Sequence, residues 1–251
     1  MALPEPAARL IRAYRQRERI AALPEDGPAD FAAAYAVQRE VWRELVGERR
    51  PTAWKVAAAG PEAEPLAAPM PPWHVVAGGA ELPAAEFFTV GVEAEIAFRF
   101  GRDLPARAAP YGREEILDAI DAAHVAMELV DPRLADAGAA GPFWRLADNL
   151  LNGGFVLGDA IPGWRERDLA GLTVRVLAGE AVLAQTLGRP PLGDLLHCLP
   201  WWLAHAGGAR AGDVVTTGAW NGMHRLALPA SARVEFRAGD EPLGRVAVDV
   251  R

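Results

Sequence analysis

The spacing of apolar residues divides the chain into a helical part and a β-rich part. In residues 1–50 the apolar positions recur with a helical period and predict two helices, Pro6–Leu23 and Phe31–Val46, the second preceded by Asp30 as an N-cap. From Thr52 onward, short runs alternate apolar and polar residues between glycines and prolines, a pattern typical of strands. The predicted strands are Thr52–Ala58, Thr89–Phe100, Ala126–Val130, Phe155–Leu157, Leu172–Leu177, Ala181–Gln185, Asp213–Thr217, Arg233–Phe236 and Arg245–Val250.

Two helices and one long loop interrupt these strands. One helix runs from Arg113 to about Ala123, and another covers Pro191–Ala206, where Pro200 should kink or restart it. The loop Pro61–Pro72 is rich in proline and alanine and has no periodicity, so we expect a mobile lid there. No internal repeat or linker divides the chain. We therefore expect one α+β domain over residues 1–251, helical over 1–50 and β-rich over 51–251.

Two glutamates stand close together in the predicted strand that contains GVEAEIAFRF, residues 91–100. Successive side chains of a strand point to opposite faces, so Glu93 and Glu95 share one face and lie about 7 Å apart. Like charges at this distance repel each other unless a cation lies between them. The pair is therefore either the solvated face of an amphipathic strand or part of a metal site.

A third glutamate interrupts another apolar run. Glu128 lies in VAMELVD, residues 125–131, where an unpaired carboxylate is costly unless it sits at a strand end and faces water. With Glu93 and Glu95 it would complete a set of three carboxylates. Such a set, without cysteine or histidine nearby, favours Mg²⁺ or Mn²⁺ over zinc.

Lys55 is the only lysine in the chain, against 25 arginines. It lies in the apolar, strand-like run TAWKVAAA, where an ordinary surface lysine is less natural. Arginine differs from lysine in shape, in the number of its donors and in its pKa. Lys55 is therefore either a chance survivor at the surface or a residue whose role a guanidinium cannot fill.

Composition and charge exclude several classes of partner. The net charge of -7 and the isoelectric point near 5.3 argue against nucleic acid and against an anionic membrane surface. No run approaches the ~20 apolar residues of a membrane span, and the N-terminus lacks the apolar core of a signal peptide, so we expect a cytoplasmic protein. Cys198, the only cysteine, cannot form an internal disulfide, and neither Cys198 nor the only serine, Ser231, has the surroundings of a nucleophile.

Several short motifs follow one another along the β-rich part. They are Trp-Lys-Val at 54–56, Val-Glu-Ala-Glu-Ile-Ala-Phe at 92–98, Ala-Met-Glu-Leu-Val-Asp-Pro-Arg at 126–133, Ala-Asp-Asn at 147–149 with Gly-Gly at 153–154, and Gly-Asp-Val-Val-Thr-Thr-Gly at 212–218. In their order and spacing they resemble the 2-keto-4-pentenoate hydratase branch of the fumarylacetoacetate hydrolase superfamily. The resemblance covers roughly Thr52 to the C-terminus.

This resemblance implies a fold and a site. The fold would be the mixed β-roll or sandwich core of the fumarylacetoacetate hydrolase C-terminal type, in a homo-oligomer. Glu93, Glu95 and Glu128 would bind the metal, Mg²⁺ or Mn²⁺. Lys55 would be the active-site lysine, and the turn Thr217–Gly218 would border the substrate.

The chain departs from the family pattern where the family shapes the far end of its substrate pocket. After the lysine, family hydratases carry a Gly-Leu-Thr run, and this chain has Ala57–Ala59. Further on they carry an acidic residue before an aromatic residue and a glycine, and this chain has Pro71–His74. Trp220 and Asn221 are also bulkier or more polar than the family pattern. The substrate and the residue that manages the attacking water therefore stay open.

The activity that the resemblance implies is hydration of a 2-keto-4-enoate, or 2-hydroxydienoate, in the catabolism of aromatic or related compounds. The carboxylate and the 2-oxo oxygen of a small-molecule 2-keto acid would chelate the metal. Lys55, with a pKa lowered by the cation, would move protons or fix the carboxylate. Asp148 is a weaker catalytic candidate and Arg133 a weaker substrate-binding one, because loop capping and a surface ion pair explain them equally well.

Other functions stay open beside hydration. A decarboxylase of a 2-oxo-dicarboxylate or an acylpyruvate hydrolase would use the same chelate, and a noncatalytic relative would keep the fold alone. The hydrolase needs a base for its water, usually a histidine with a carboxylate. His74 is the only histidine in the loop that could close over the site, although a lone histidine near proline and tryptophan more often has a packing or surface role. The other histidines are interpreted as structural: His124, His197, His205 and His224.

Overall fold

The computed structural model describes residues 3–190 and 192–251 of the chain. Within them the helices are α1 (Glu5–Gln16), α2 (Phe31–Leu45), α3 (Arg113–Ala119), α4 (Gly141–Ala147) and α5 (Leu199–Ala206). The strands are β1 (Ala53–Ala57), β2 (Leu66–Pro69), β3 (Val75–Ala77), β4 (Ala80–Leu82), β5 (Val90–Phe100), β6 (Leu104–Pro105), β7 (Ile120–Val130), β8 (Asn152–Ala160), β9 (Thr173–Ala178), β10 (Ala181–Leu187), β11 (Gly208–Ala209), β12 (Val214–Thr216), β13 (Met223–Leu226), β14 (Ala230–Ala238) and β15 (Glu241–Val250).

Two sheets form the body of the protein. The larger sheet has the order β2-β1-β12-β5-β7-β8-β3, with β13 also paired to β5, and it is mixed because β1 runs parallel to β12 and β3 to β8. The smaller sheet has the order β10-β9-β14-β15-β4. The predicted apolar face of β5 is at most 1% exposed and joins the core shared by the two sheets: Val92, Ala94, Ile96, Phe98 and Phe100. The predicted α+β class with a mixed β core is confirmed.

The N-terminal helices pack beside the larger sheet. Helix α1 is shorter than the predicted Pro6–Leu23, because Arg17 takes a left-handed conformation with φ 56° and closes the helix after Gln16. Helix α2 agrees with the prediction, since Asp30 accepts a hydrogen bond of 2.7 Å from the N–H of Ala33. With α4 the two helices bury a second apolar cluster, which also contacts β2.

Strand β7 begins earlier than the sequence predicts. The predicted helix from Arg113 to about Ala123 ends at Ala119, and the strand expected from Ala126 already starts at Ile120. β7 pairs antiparallel with β5 along almost its whole length. The residues 120–123 carry an apolar spacing that also suits a helix, but the ladder to β5 satisfies their backbone groups within the sheet.

The predicted lid contains a buried strand. Within Pro61–Pro72, β2 pairs antiparallel with β1, and Ala68 lies opposite Lys55. Ala67, Ala68 and Met70 are at most 2% exposed. The prediction of an unstructured loop is therefore wrong over residues 66–70, because small side chains and a backbone ladder hold the segment without any apolar periodicity.

The last predicted helix is also shorter. It begins at Leu199, with Pro200 in its first turn, where the missing N–H would be unpaired in any residue. Residues 192–198 form turns, and Pro191 lies outside the described residues. Cys198 is buried just before the helix, although the prediction placed it within the helix. Across residues 3–190 and 192–251, none of the helices has both the length and the apolar character needed to cross a membrane.

Candidate metal centre

Three carboxylates meet on the face of the larger sheet that points away from the shared core. Glu93 and Glu128 are direct cross-strand partners on β5 and β7, and Glu95 follows on the same face of β5. One oxygen of each lies within 4.8 Å of the others. Glu95 and Glu128 are fully buried, whereas the Glu93 side chain is 18% exposed. The cluster is therefore closed on the protein side and open toward Glu93.

Two oxygens of the cluster have no hydrogen-bond partner among the described residues. They are Glu95 Oε1 and Glu128 Oε2, and both are buried. The other oxygen of each residue is held, since the N–H of Gly218 donates to Glu95 Oε2 at 2.9 Å and Asn152 Nδ2 donates to Glu128 Oε1 at 3.2 Å. A buried anionic oxygen without a partner is costly, and carboxylate oxygens are the ligands of hard divalent cations. These residues therefore fit a divalent cation.

The protonation of the cluster reflects the crowding of its charges. Burial, followed by the charge of Glu128, raises the pKa of Glu95 well above its ordinary value. Burial also raises the pKa of Glu128, although Lys55 acts in the opposite direction. Without a cation, the folded protein thus favours a proton on Glu95, and a bound cation would reverse this preference.

Lys55 lies at the centre of the cluster. Its Nζ donates to Glu128 Oε1 at 2.8 Å and to Glu93 Oε2 at 3.4 Å, and its side chain is only 12% exposed. Burial by itself lowers the pKa of Lys55, but the charges of Glu128, Glu93 and Glu95 outweigh it, so the pKa is raised above its ordinary value. This direction holds for the protein without a cation, and the lowering of the Lys55 pKa beside a bound cation stays a prediction.

A left-handed turn, residues 149–151, also contacts the ammonium group of Lys55. Asn149, Leu150 and Leu151 have φ values of 57°, 51° and 65°, a left-handed backbone conformation that residues other than glycine rarely adopt. The turn is tied down by Asn149 Nδ2, which donates to Pro69 O at 2.7 Å. It brings the carbonyl of Leu150 to 3.4 Å from Lys55 Nζ. The strain is thus located where the chain contacts the lysine.

Asp148 and Arg133 form a buried ion pair beside the centre. Arg133 Nε donates to Asp148 Oδ1 at 2.5 Å, and both side chains are at most 1% exposed. Burial raises the pKa of Asp148 to about 6, although the charge of Arg133 lowers it. Arg133 Nη1 also donates to the carbonyl of Asn152 at 2.6 Å. The two residues thus contact the carboxylate cluster through Asn152. Their ion pair is buried, so the alternative of a surface ion pair is wrong, and their part in catalysis stays a prediction.

Asn152 is the functional candidate that the sequence reasoning missed. It connects the Arg133–Asp148 pair to Glu128, and it is fully buried. Its position directly before Gly153-Gly154 in the fourth motif was the available signal, because a buried amide at the start of a strand needs a specific partner.

The predicted substrate residues lie in two places. The turn Thr217–Gly218 is at the cluster, with Thr217 Oγ1 donating to Ile96 O at 2.9 Å and Gly218 donating to Glu95. His74 is buried away from it and makes no described contact with the three glutamates. Its Nδ1 is 2.9 Å from Gly153 O, its Nε2 is 2.7 Å from Glu86 Oε2, and its ring stacks on a phenylalanine.

A cavity of about 210 Å³ extends from Asn152 toward the N-terminal helices. Tyr14, Trp73, His74 and Arg133 line it. Burial raises the pKa of Tyr14 to about 12, so its hydroxyl stays a hydrogen-bond donor at neutral pH. The segment Pro71–His74, where the chain departs from the family pattern, forms part of this wall.

Comparison with known proteins identifies the family. The sequence model of the fumarylacetoacetate (FAA) hydrolase C-terminal family matches residues 44–251. The chain therefore belongs to the fumarylacetoacetate hydrolase family. A 2-keto-4-pentenoate hydratase of Paraburkholderia phymatum is 31% identical over 257 residues, covering 96% of this chain and 94% of that protein. The 2-keto-4-pentenoate hydratase 2 of Dechloromonas aromatica is also 31% identical, covering 97% of this chain and 95% of that protein.

Solved structures share the fold. The 4-oxalocrotonate decarboxylase from Pseudomonas putida G7, complexed with magnesium and adipate, superposes with a TM-score of 0.78 at 22% identity, over 98% of this chain and 96% of that one. A 2-hydroxyhepta-2,4-diene-1,7-dioate isomerase from Mycobacterium marinum gives a TM-score of 0.59 at 18% identity, over 80% and 74%. The predicted family, fold and class of protein, an enzyme of the lyase class, are confirmed.

Proposed function

We propose that the protein is a metal-dependent hydratase that adds water to a 2-keto-4-enoate, with Mg²⁺ or Mn²⁺ held by Glu93, Glu95 and Glu128. The observation that carries the proposal is the buried cluster of these carboxylates around Lys55, with two anionic oxygens left unpaired. The names of the relatives at 31% identity support the same substrate class. A bound cation would supply Lewis acidity and positive charge for the oxygens of a 2-keto acid.

The chain's own residues orient this chemistry. Gly218 fixes one oxygen of Glu95 and Asn152 fixes one oxygen of Glu128, so the other oxygen of each carboxylate would be available to hold a cation. Lys55 Nζ carries a proton beside the cluster and is the group that can give it to, or take it from, the carbon chain of the substrate. The turn at Thr217 is fixed by its bond to Ile96 O, so it can border the substrate without moving.

His74 does not suit the role of a base for the attacking water. Both of its ring nitrogens face acceptors, the carbonyl of Gly153 and the carboxylate of Glu86. His74 is thus paired with a carboxylate, as a hydrolase base usually is, but its other ring nitrogen faces the carbonyl of Gly153 instead of a place for the attacking water. This geometry disfavours the acylpyruvate hydrolase, which needs such a base. We place His74 in the wall of the substrate cavity instead.

A decarboxylase of a 2-oxo-dicarboxylate is the second candidate. Arg15 and Arg17 line the same cavity as Asn152, and Arg17 Nε and Nη2 make no hydrogen bond with the described residues. Asp131 Oδ2 lies 3.8 Å from Arg17 and offsets part of its charge. Arg15 Nη2 already donates to Glu44 Oε1 at 2.8 Å, so a second carboxylate at the far end of a substrate would bind mainly the Arg17 guanidinium.

The test is a substrate panel with the purified protein and Mg²⁺. A 2-hydroxydienoate, a 2-oxo-dicarboxylate and an acylpyruvate are incubated in turn, the conjugated absorbance is followed, and the products are identified by NMR. We expect a 4-hydroxy-2-keto acid from the first substrate without release of CO₂. Rapid CO₂ release from the second substrate alone would favour the decarboxylase, and inactivity toward all three with no metal binding would indicate a noncatalytic relative.

We extend the proposal to the assembly and include the homo-oligomer that the resemblance implies. Sedimentation velocity of the purified protein at two concentrations measures it. A species with the mass of one 26.8 kDa chain at both concentrations would contradict this part of the proposal.

A further inference from the structure

A second and larger cavity lies where helix α2, strand β1 and helix α5 meet. We call it the α2–α5 cavity, and its walls include Tyr35, Trp42, Trp54 and His205. Its volume of about 520 Å³ falls in the range of ordinary small-molecule sites, about 300 to 1,000 Å³. Trp54 and Lys55 are consecutive in β1, so their side chains point to opposite faces of the sheet. The cavity is therefore separate from the carboxylate cluster.

The walls of this cavity are flat and aromatic. The rings of Tyr35 and His205 lie with centroids 4.7 Å apart, and Trp54 meets His205 at 6.2 Å. Trp54 is 8% exposed, and its Nε1 is a buried donor without a hydrogen-bond partner among the described residues. Burial and the nearby charge of Arg39 lower the pKa of His205, with Glu64 acting in the opposite direction, so the imidazole is a neutral wall at pH 7. Such walls favour a planar ligand.

The rim of the α2–α5 cavity carries an excess of positive charge. Arg50 and Arg43 are neutralised, because Arg50 donates to both oxygens of Asp213 and Arg43 pairs with Glu40. Two further lining arginines, Arg39 and Arg49, are exposed and make no ion pair with any residue in 3–190 or 192–251. The only lining carboxylate left against them is that of Glu48. The excess of one cation matches a single negative charge.

We propose that the α2–α5 cavity is a second binding site, for a planar monocarboxylate of the aromatic or conjugated class. Arg39 and Arg49 bind its carboxylate, since guanidinium groups pair with carboxylates through two parallel hydrogen bonds. Tyr35, Trp54 and His205 pack against its flat body. Binding there needs neither the metal nor the three glutamates, so this proposal does not rest on the proposed hydratase activity.

The experiment is isothermal titration of the full-length protein with benzoate, after removal of metal by chelation and gel filtration. Arg39→Gln and Arg49→Gln each remove one guanidinium without touching a described contact. Arg102→Gln is the matched control, because the Arg102 side chain is 56% exposed and its ion pair with Asp118 is long, at 3.8 Å. Cyclohexanecarboxylate has the charge of benzoate without the flat face, and benzyl alcohol has the ring without the charge.

We expect saturable binding of benzoate, weaker binding of both other probes, and a loss of roughly tenfold in affinity in Arg39→Gln and Arg49→Gln, as for a hydrogen bond to a charged group. Arg102→Gln and Glu95→Gln should bind benzoate as the wild type does. Four results would overturn the proposal. The first is the absence of saturable heat with the wild type, and the second is an affinity of Arg39→Gln for benzoate equal to that of the wild type. The third is a loss of benzoate binding in Glu95→Gln. The fourth is a changed sedimentation coefficient of Arg39→Gln in a protein that binds no benzoate, which would make the cavity a contact between copies of the chain.

Discussion

At Lys55 a single ammonium group satisfies carboxylates that would otherwise repel one another. The group is compact enough to lie 2.8 Å from Glu128 and 3.4 Å from both Glu93 and the carbonyl of Leu150. A guanidinium is planar, larger and stays protonated, so it cannot occupy the same space with the same contacts. The position therefore explains why the one lysine of an arginine-rich chain is found there.

Lys55→Arg is expected to lower turnover nearly as much as Lys55→Ala, by roughly 10² to 10⁴-fold, the usual loss when a general acid or base is removed. Steady-state kinetics on the substrate that the panel identifies measures the change. Circular dichroism and Mn²⁺ titration of both variants show whether the fold and the metal site persist. An arginine variant within a few-fold of the wild type would exclude Lys55 from proton transfer.

Glu95→Gln and Glu128→Gln are expected to weaken Mn²⁺ binding by at least about a hundredfold, since removing even a group that orients a ligand typically costs 10- to 100-fold. Glu81→Gln is the matched control, because the Glu81 side chain is 67% exposed and lies in β4 of the smaller sheet, whereas the cluster lies in the larger sheet. Calorimetry gives the affinities. Equal affinity in the wild type and both cluster variants would show that the metal site lies elsewhere.

Glu95→Gln should also change the pH dependence of the free energy of unfolding. Without metal the pKa of Glu95 in the folded protein lies well above 4.5, so the folded state keeps a proton that the unfolded state has lost. The free energy of unfolding should therefore fall as the pH rises above about 4.5, and it should fall less steeply in Glu95→Gln. Urea unfolding from pH 4.5 to 7.5 in a chelator measures both slopes. Saturating Mg²⁺ should reduce the difference between them, and parallel slopes in the chelator would refute the assignment.

At the scale of elements, the left-handed turn Asn149–Leu151 and strand β2 together form the support of Lys55. The amide of Asn149 fastens the turn to Pro69, at the end of β2, and β2 pairs in turn with the strand of Lys55. The strained conformation is maintained because the surrounding contacts fix it. We therefore expect substitutions in this turn to affect both stability and turnover.

Asn149→Ala and Asn149→Gly separate the two contributions of the turn. Both lose the hydrogen bond to Pro69, but only alanine keeps the steric cost of a left-handed residue, about 1 to 2 kcal/mol. Glycine should therefore be the more stable variant by about 1 kcal/mol in urea unfolding, offset in part by its greater freedom in the unfolded chain. Both should lower kcat more than KM, because the carbonyl of Leu150 loses its fixed position. An alanine variant as stable as glycine would contradict the strain.

Hydrogen exchange should divide the predicted lid into two parts. The amides of Ala67, Ala68 and Met70 lie in or next to the β1–β2 ladder and are buried, so they should be protected without any ligand. Residues 61–65 precede the strand and should exchange quickly until oxalate and Mg²⁺ are added. Exchange with mass-spectrometric detection, with oxalate alone as the control, tests both parts. Fast exchange across residues 67–70 would contradict the ladder.

On the scale of the whole molecule, the larger sheet separates two sites. Its outer face carries the carboxylate cluster, and the α2–α5 cavity lies at Trp54 on the other side of β1. Pro69 also lines that cavity, and its carbonyl accepts the hydrogen bond that fastens the left-handed turn. A ligand in the cavity would thus contact Trp54, which precedes Lys55 in β1, and Pro69, which ends the supporting strand β2.

Benzoate is therefore expected to change the turnover of the wild-type enzyme at saturating Mg²⁺ and substrate. The physical reason is that a ligand packed on Trp54 and Pro69 alters the position of β1 and of the turn, and with them that of Lys55. Turnover is measured against benzoate concentration in the wild type, in Arg39→Gln and in Arg102→Gln. An effect that is equal in all three proteins would show that benzoate acts from a place other than the α2–α5 cavity.

Local patterns were sufficient for much of this protein. Alternation along residues 91–100 places Glu93 and Glu95 on one face, and the apolar surroundings of Glu128 and of the only lysine mark both as unusual. These are properties of neighbouring residues in a strand, so the sequence itself carries them. The order of the motifs was enough to indicate the family and its core.

Long-range contacts decided the rest. Register across β5 and β7 sets Glu93 opposite Glu128, and pairing with β5 makes residues 120–123 a strand although their spacing suits a helix. Asn152 acquires its role only when the pairing of β8 with β7 brings it to Glu128 and to Arg133, which follows β7 in the chain. The sequence thus determines which residues are costly to bury and which faces they share. Only the tertiary structure determines which of them meet, because the partners that offset that cost lie far apart in the chain.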